Sequence, residues 1–154
     1  MTLTQSASVK WSPLYMNCIT FHERSGGGEG IIYSTGLPVT NVSSSNTDTT
    51  VSHFEYINCS VEHHCATIHV IVVCRPPTST QNGFITSVFF QEWLSFVEHV
   101  AVECAVSIIG GDVNFHLDSD SNTDAHRFKD SLSTCGLKQH VNQPTQKKVI
   151  PWMS

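Results

Sequence analysis

A nearly continuous run of β-branched residues is the feature that most limits how this chain can fold. The run ends at Arg75-Pro76-Pro77 and contains Ile68, Val70, Ile71, Val72 and Val73. Such a run is typical of a central strand that is buried on both faces, and it ends at proline because proline cannot donate to the strand ladder. We therefore predict a central strand at residues 65–74, joined by a turn at residues 62–64 to a strand at residues 53–61.

A long amphipathic helix is predicted next, at residues 84–104. Its apolar side chains recur at three- and four-residue steps, which predicts a buried face made of Ile85, Phe89, Trp93, Phe96, Val97, Val100 and Cys104. Another strand is predicted at residues 105–109. The order strand, helix, strand indicates an α/β unit whose two strands are parallel neighbours.

The remaining elements are shorter. We predict a strand at residues 31–33, a loop rich in Ser, Thr and Asn at residues 41–52, and one more short strand at residues 137–141. A second helix is predicted from about residue 124 to residue 135. Asn122 or Thr123 can cap its start, Gly136 is a natural stop, and its inward side chains are Ala125, Phe128, Leu132 and Cys135.

Composition bounds the class of protein. A chain of 154 residues favours one domain. The net charge of −5 with only eight Lys and Arg is a handicap for binding nucleic acid, which depends on cations that release counterions from phosphates. The six cysteines form no C-x-x-C pair, which favours buried reduced thiols over a disulfide framework. Without a signal region or a long apolar run, we expect an intracellular protein, in the cytoplasm or nucleus, with no membrane partner.

One stretch carries a pattern typical of a phosphate-binding or metal-binding site. The apolar run that starts at Val106 ends at Gly110-Gly111, and Asp112, Asn114 and His116 follow at every second position. Side chains at the carboxyl end of a parallel strand border the crevice where α/β proteins bind ligands. Asp112 could orient or deprotonate a water molecule or hold a metal, and an Asn114 side chain pointing the same way could donate to a phosphate oxygen. The structural alternative is a strand end closed by an Asx turn.

Four segments of the chain resemble the motifs of one family, and they occur in that family's order. They are a glycine-rich strand entry at 26–33, a hairpin at 54–57 and 68–77 that ends in Arg-Pro-Pro, Gly-Asp-Val-Asn-Phe-His at 111–116, and residues 137–145. The chain resembles the endonuclease/exonuclease/phosphatase family, most closely the endonuclease domain of non-LTR retrotransposons. The resemblance covers residues from about 11 to 148.

The resemblance implies a fold and an activity. The family fold is a two-sheet, four-layer α/β sandwich with helices packed outside, and its members cleave phosphodiesters using a divalent metal, usually magnesium. Because the retrotransposon type is a DNA endonuclease, the resemblance implies DNA as the partner. By resemblance, Asp112 positions or activates the attacking water and contributes weakly to the metal site. Asn114 steadies the phosphate, and Arg75 and His116 bind the substrate. The family-like domain would span residues 25–145, after a poorly patterned segment at residues 1–24.

Departures from the family pattern lower the expected activity. Residues 1–21 contain no acidic residue to match the family's metal-binding glutamate, and Cys74 stands where the family has a tyrosine. Residues 146–154 form a non-family tail in place of the Ser-Asp-His motif. We therefore expect a partial domain, truncated at both ends, with weak or absent nuclease activity and a need for magnesium or manganese only if it is active.

Two other hypotheses remain. The chain could be a non-catalytic module that binds a protein partner at an exposed sheet edge, because unpaired strand edges favour such pairing. Residues 118–124 could form a calcium loop, but they lack the glycine at loop position six and the glutamate at position twelve that such loops need.

Overall fold

A computed structural model describes residues 16–21, 29–45, 50–78, 83–104, 106–117, 119 and 121–141 of the chain. These residues form an α/β structure, as predicted. In chain order its elements are β1 (Met16–Phe21), β2 (Glu29–Ser34), β3 (Val39–Ser44), β4 (Glu55–His63), β5 (Ala66–Cys74), α1 (Thr86–Glu103), β6 (Ser107–Asp112) and α2 (Thr123–Thr134).

The main sheet has four strands in the order β3-β4-β5-β6. The β3–β4 and β4–β5 pairs are antiparallel, whereas β5 and β6 are parallel and are joined through α1. This arrangement confirms the predicted hairpin and the predicted strand-helix-strand unit. Its register places Cys74 opposite Asp112, so β5 and β6 end at the same edge of the sheet.

The helices cover one face of this sheet. Side chains of β4 and β5 on that face join a core built mainly of aromatic rings, whose buried members include Phe54, Tyr56, Ile71, Val73, Phe89, Phe90, Trp93, Val97, Val100, Phe128 and Leu132. The buried Trp93 indole donates a 2.9 Å hydrogen bond to Ser131 Oγ, which links α1 to α2. The core therefore sits between the sheet and the two helices.

The opposite face of the sheet is covered unevenly. Ile57 and Cys59 point to that face and are fully buried, where β2 lies against β4 and β5. β2 pairs with β1 as an antiparallel hairpin. Ile108 of β6 points to the same face but is 58% exposed. Among the described residues, the β1–β2 hairpin therefore covers the middle of the sheet and not its β6 end.

Two strands lie where no strand was predicted. β1 occupies part of the segment that looked poorly patterned, and β3 begins before the predicted polar loop and extends into it. β3 is an edge strand whose pairing with β4 shifts register between Thr40 and Ser43. Its residues are mostly polar and exposed, so the apolar alternation that identifies a half-buried strand is missing.

The ends of other elements also differ from the predictions. The predicted strand at residues 137–141 is wrong, because Gly136 adopts a left-handed φ of 72° and Leu137 N–H donates back to the carbonyl of Leu132 as a helix cap. Ile85 precedes the first turn of α1 and is exposed, so its predicted place in the core is also wrong. β6 extends to Asp112, three residues beyond the predicted strand.

The start of α2 is confirmed. Asn122 Oδ1 accepts hydrogen bonds from the backbone N–H groups of Asp124 and Ala125, at 3.0 and 3.1 Å. The predicted inward residues Ala125, Phe128 and Leu132 are buried. Several predictions lie outside the described residues: the tail at residues 146–154, most of the glycine-rich turn, and Asp118 and Asp120 of the calcium loop.

Candidate functional site

The candidate site is built on the last two residues of β6. Arg75 N–H donates to the carbonyl of Asp112 at 2.8 Å, so the ladder between β5 and β6 continues one step past β5. Gly111 has a φ of 130°, and a Cβ atom on it would lie 1.9 Å from the carbonyl oxygen of Val73. A side chain at this position would separate the two strands, so Gly111 is what allows Asp112 to reach the edge.

Beyond Asp112 the chain leaves the strand conformation. Asn114 adopts a left-handed φ of 51°, which asparagine tolerates better than most residues. Its N–H donates a 2.9 Å hydrogen bond to Asp112 Oδ1, which closes an Asx turn. The Asx turn that was the structural alternative at this strand end is therefore present. Asn114 does not continue the extended strand from which its side chain was predicted to point the same way as that of Asp112.

The Asn114 side chain is engaged by the neighbouring strand. Its Nδ2 donates a 2.6 Å hydrogen bond to the carbonyl oxygen of Arg75. The amide that was expected to face a phosphate thus donates to the protein backbone. What Asn114 visibly does is hold the loop after β6 against the end of β5.

Arg75 lies beneath this loop and is only 3% exposed. Its guanidinium donates to the carbonyl of Val113 at 3.3 Å and to Thr86 Oγ1 at 3.4 Å. It also lies over the rings of Phe89 and Phe115, with 4.8 and 4.3 Å from Cζ to the ring centroids. These contacts make Arg75 a positioning residue for the loop, at a depth where a bound substrate would not reach it.

A carboxylate on α2 partly offsets the cost of burying the Arg75 charge. Burial lowers the pKa of the Arg75 guanidinium, and the nearby Asp124 carboxylate acts in the opposite direction. An arginine in a protein keeps its proton, so the buried cation needs the rings, the carbonyl and the Asp124 charge around it. Asp124 was not among the predicted site residues, although its position one turn before the inward-facing Phe128 places it on the same face of α2.

The predicted site residues therefore divide into two groups. Asp112, Asn114 and His116 are exposed along one loop, and Arg75 supports that loop from below. The backbone carbonyl of His116 accepts a 3.0 Å hydrogen bond from Ser119 N–H. The arrangement presents one carboxylate and one imidazole to solvent at the carboxyl ends of two parallel strands, which is the usual place for a ligand in an α/β sheet.

In the described part of the chain, the donors around Asp112 do not form a complete magnesium site. The register places Glu55, Cys74 and Asp112 side by side on three neighbouring strands. Within the described ranges, no three or more His, Cys, Asp and Glu side chains form a group that could hold a metal ion. Magnesium requires near-octahedral oxygen ligation and commonly takes one or two carboxylates together with substrate phosphates. Asp112 supplies one such carboxylate, so substrate phosphates and water would have to supply the remaining ligands.

A further cation, which the sequence analysis also missed, lies next to the loop. Arg127 of α2 is exposed, and its guanidinium carbon lies 4.2 Å from the centroid of the Phe90 ring. Phe90 in turn stacks on Phe115 of the loop, with ring centroids 5.5 Å apart and an interplanar angle of 11°. The sequence offers no local signal for this contact, because it joins three separate elements.

Comparison with protein-family models, with curated proteins and with solved structures yields no match.

Of the two helices described, neither is long and apolar enough to cross a membrane. The five cysteines with described side chains carry free thiols. Burial raises the pKa of the Cys59 thiol.

Proposed function

We propose that this chain derives from a divalent-metal-dependent DNA endonuclease of the endonuclease/exonuclease/phosphatase type, closest to those of non-LTR retrotransposons. It retains binding to the DNA backbone and has little or no hydrolytic activity. In this proposal the helices, the main sheet and the β1–β2 hairpin correspond to layers of the family's four-layer sandwich. The supporting observation is the exposed Asp112 carboxylate, which is held at the ends of β5 and β6 by the contact between Arg75 and Asn114.

The chain's own groups suit binding better than hydrolysis. Asp112 uses Oδ1 in the Asx turn, which fixes the orientation of its carboxylate toward solvent. An oriented carboxylate can accept a proton from a water molecule. Asn114 cannot offer the same amide hydrogen to a phosphate while it donates to the carbonyl of Arg75. His116 is exposed on the same loop and has a side chain that can donate to a phosphate oxygen.

The expected rate is low because several groups are missing together. Removing one preorganised group from a site that stabilises developing charge costs about 3–4 kcal/mol of barrier, or a factor of about 100–1000 in rate. Here Cys74 replaces the family's tyrosine, Asn114 is engaged by backbone, and Asp112 has no set of metal ligands around it in the described part of the chain. Such losses are not additive, but any two of them leave little turnover.

Plasmid nicking with magnesium or manganese tests the catalytic half of this proposal. The wild type is compared with Asp112→Ala and with Asp130→Ala, which removes the same charge from an exposed position on α2. We expect equal, near-background nicking by all three proteins. Nicking that disappears only in Asp112→Ala would show that the enzyme is active and would overturn the proposed loss of hydrolysis.

A protein-binding role is the second candidate, and the β6 edge favours it. In the described sheet, β6 pairs with β5 alone, and the apolar Val106 and Ile108 are 45% and 58% exposed beside it. An open strand edge next to apolar side chains suits pairing with a strand of a partner protein. A defined protein partner whose binding is lost in Ile108→Lys, while DNA binding is absent in the wild type, would favour this candidate.

A further inference from the structure

Two arginines are linked through aromatic rings at the candidate site. Arg127 of α2 lies over Phe90, Phe90 stacks on Phe115, and Phe115 lies over Arg75. We call these four residues the cation–ring column. The column starts beneath the loop that follows Asp112 (residues 113–117, the Asp112 loop) and ends at the surface of α2. One of its two cations is therefore buried and the other is exposed to solvent.

The two cations of the column differ in burial and in the partners of their N–H groups. The Arg75 guanidinium is buried and donates to the carbonyl of Val113 and to Thr86 Oγ1. Arg127 is exposed, and no carboxylate of the described residues lies within ion-pair distance of its guanidinium. The hydrogen-bond donors of Arg127 are therefore available, whereas those of Arg75 are used by the protein itself.

Packing on Phe90 prepares Arg127 to bind an anion. A cation over an aromatic face is attracted by the ring, and the planar guanidinium loses less side-chain freedom when a ligand then binds. Its fork of N–H groups matches two oxygens of a phosphate. In a chain with a net charge of −5, general attraction to DNA is weak, so a local and oriented cation matters more than it would in a basic protein.

From this arrangement we infer that Arg127 is a phosphate-contacting residue of the same site and binds the DNA backbone beside the Asp112 loop. This inference rests on the proposed function, because it requires that the loop faces DNA. It adds a contact on α2 that lies outside the resembling motifs. The ligand class is a phosphodiester, bound through its non-bridging oxygens.

The test measures how salt weakens DNA binding. A fluorescently labelled DNA duplex is titrated with the full chain at salt concentrations between about 50 and 200 mM. The slope of log K against log salt is negative, and each phosphate contact increases its magnitude by about 0.9. We expect Arg127→Gln to reduce the magnitude of this slope by about one and to weaken binding several-fold at low salt. Arg127→Lys should keep the slope and bind more weakly than the wild type, because it retains the charge without the fork.

Lys138→Gln is the matched control. It removes the same charge from an exposed residue beyond the C-terminal end of α2, whereas Arg127 lies within the helix. Equal slopes for Arg127→Gln, Lys138→Gln and the wild type would overturn the inference while leaving DNA binding by the chain intact. Absence of DNA binding by the wild type at the lowest salt would overturn the proposed function and this inference with it. Thermal unfolding of each variant shows that a changed slope does not come from unfolding.

Discussion

The Asn114 amide donates a 2.6 Å hydrogen bond to the carbonyl oxygen of Arg75, and the Arg75 guanidinium donates to the carbonyl of Val113 beside it. These reciprocal contacts join the ends of two parallel strands that are far apart in sequence. They form just past the point where the regular ladder stops at Asp112. The position of the Asp112 carboxylate thus depends on two residues that the sequence analysis assigned to substrate.

Two substitutions of Asn114 separate the contribution of its amide hydrogen bond to stability from that of its left-handed backbone conformation. Asn114→Ala loses the amide hydrogen bond and also forces an alanine into a left-handed φ of 51°. We expect a loss of about 2–3 kcal/mol in the free energy of unfolding, measured by urea denaturation. Asn114→Gly keeps the backbone conformation accessible and should lose only about 1 kcal/mol, for the hydrogen bond. Equal losses in the two variants would contradict a strained backbone at this position.

The two adjacent glycines should respond very differently to alanine. At Gly111 a Cβ atom would collide with the backbone of Val73, and the φ of 130° disfavours any side chain. We expect Gly111→Ala to lower the free energy of unfolding by about 2–5 kcal/mol, as overpacking and backbone strain add. At Gly110 no atom lies within 4 Å of the added Cβ. Gly110→Ala should therefore change the free energy of unfolding by at most about 0.5 kcal/mol.

Urea unfolding of both glycine variants decides this prediction, with Gly110→Ala as the control for a generic glycine effect. A Gly111→Ala protein that unfolds at the same urea concentration as Gly110→Ala would show that β5 and β6 do not approach as closely as described. The sequence alone cannot distinguish the two glycines, because both follow the same apolar run.

The elements that the sequence predicted well are those whose pattern arises from burial along one segment. The β-branched run became β5, and the aromatic spacing in 84–104 became the buried face of α1. Asn122 and Gly136 marked the ends of α2 because capping depends on neighbouring residues. β3 was missed because an exposed edge strand needs no apolar alternation.

The candidate site was predicted only in outline, for a related reason. Motif spacing located Asp112 at a strand end, but the direction of the Asn114 side chain depends on its left-handed backbone and on the Arg75 carbonyl. Phe90 was not among the residues predicted for the buried face of α1, yet it is buried because Phe115 and Arg127 pack against its ring. Contacts that join three elements leave no periodic signal in any one of them.

The buried link between the two helices should be sensitive to one hydroxyl. Ser131 Oγ accepts from the Trp93 indole and donates to the carbonyl of Phe128 at 2.6 Å. Ser131→Ala leaves a buried indole N–H without its acceptor, which should lower the free energy of unfolding by about 1–3 kcal/mol. Ser133→Ala removes an exposed hydroxyl from the same helix and should change it by less than about 0.5 kcal/mol.

Urea unfolding of these serine variants can be followed by tryptophan fluorescence, to which Trp93 contributes together with Trp11 and Trp152. Restored stability in Ser131→Thr, which returns a hydroxyl at the same carbon, would attribute the loss to the hydrogen bond rather than to a small cavity. A Ser131→Ala protein as stable as Ser133→Ala would contradict the role of this link.

Glu92 of α1 should make stability depend on acid pH. Its carboxylate accepts from Ser52 Oγ at 2.6 Å and from the N–H groups of Ser52 and His53 at 3.0 and 2.8 Å. Burial by itself raises the pKa of Glu92, but these hydrogen bonds and the nearby His53 outweigh it, so the pKa lies below its ordinary value of 4.5. A carboxyl group whose pKa is lower in the folded state than in the unfolded state stabilises the fold at pH values above its unfolded-state pKa.

This contribution is therefore present above about pH 4.5 and is lost as the pH falls through the lower folded-state pKa. Glu92→Gln should lower the free energy of unfolding by about 1–2 kcal/mol at neutral pH, and its difference from the wild type should shrink steadily below about pH 4.5. Glu98→Gln, at an exposed position on the same helix, controls for the loss of one charge. A Glu92→Gln deficit that stays constant from neutral to acid pH, measured by urea denaturation, would show that the ionised carboxylate does not anchor the Ser52–His53 backbone to α1.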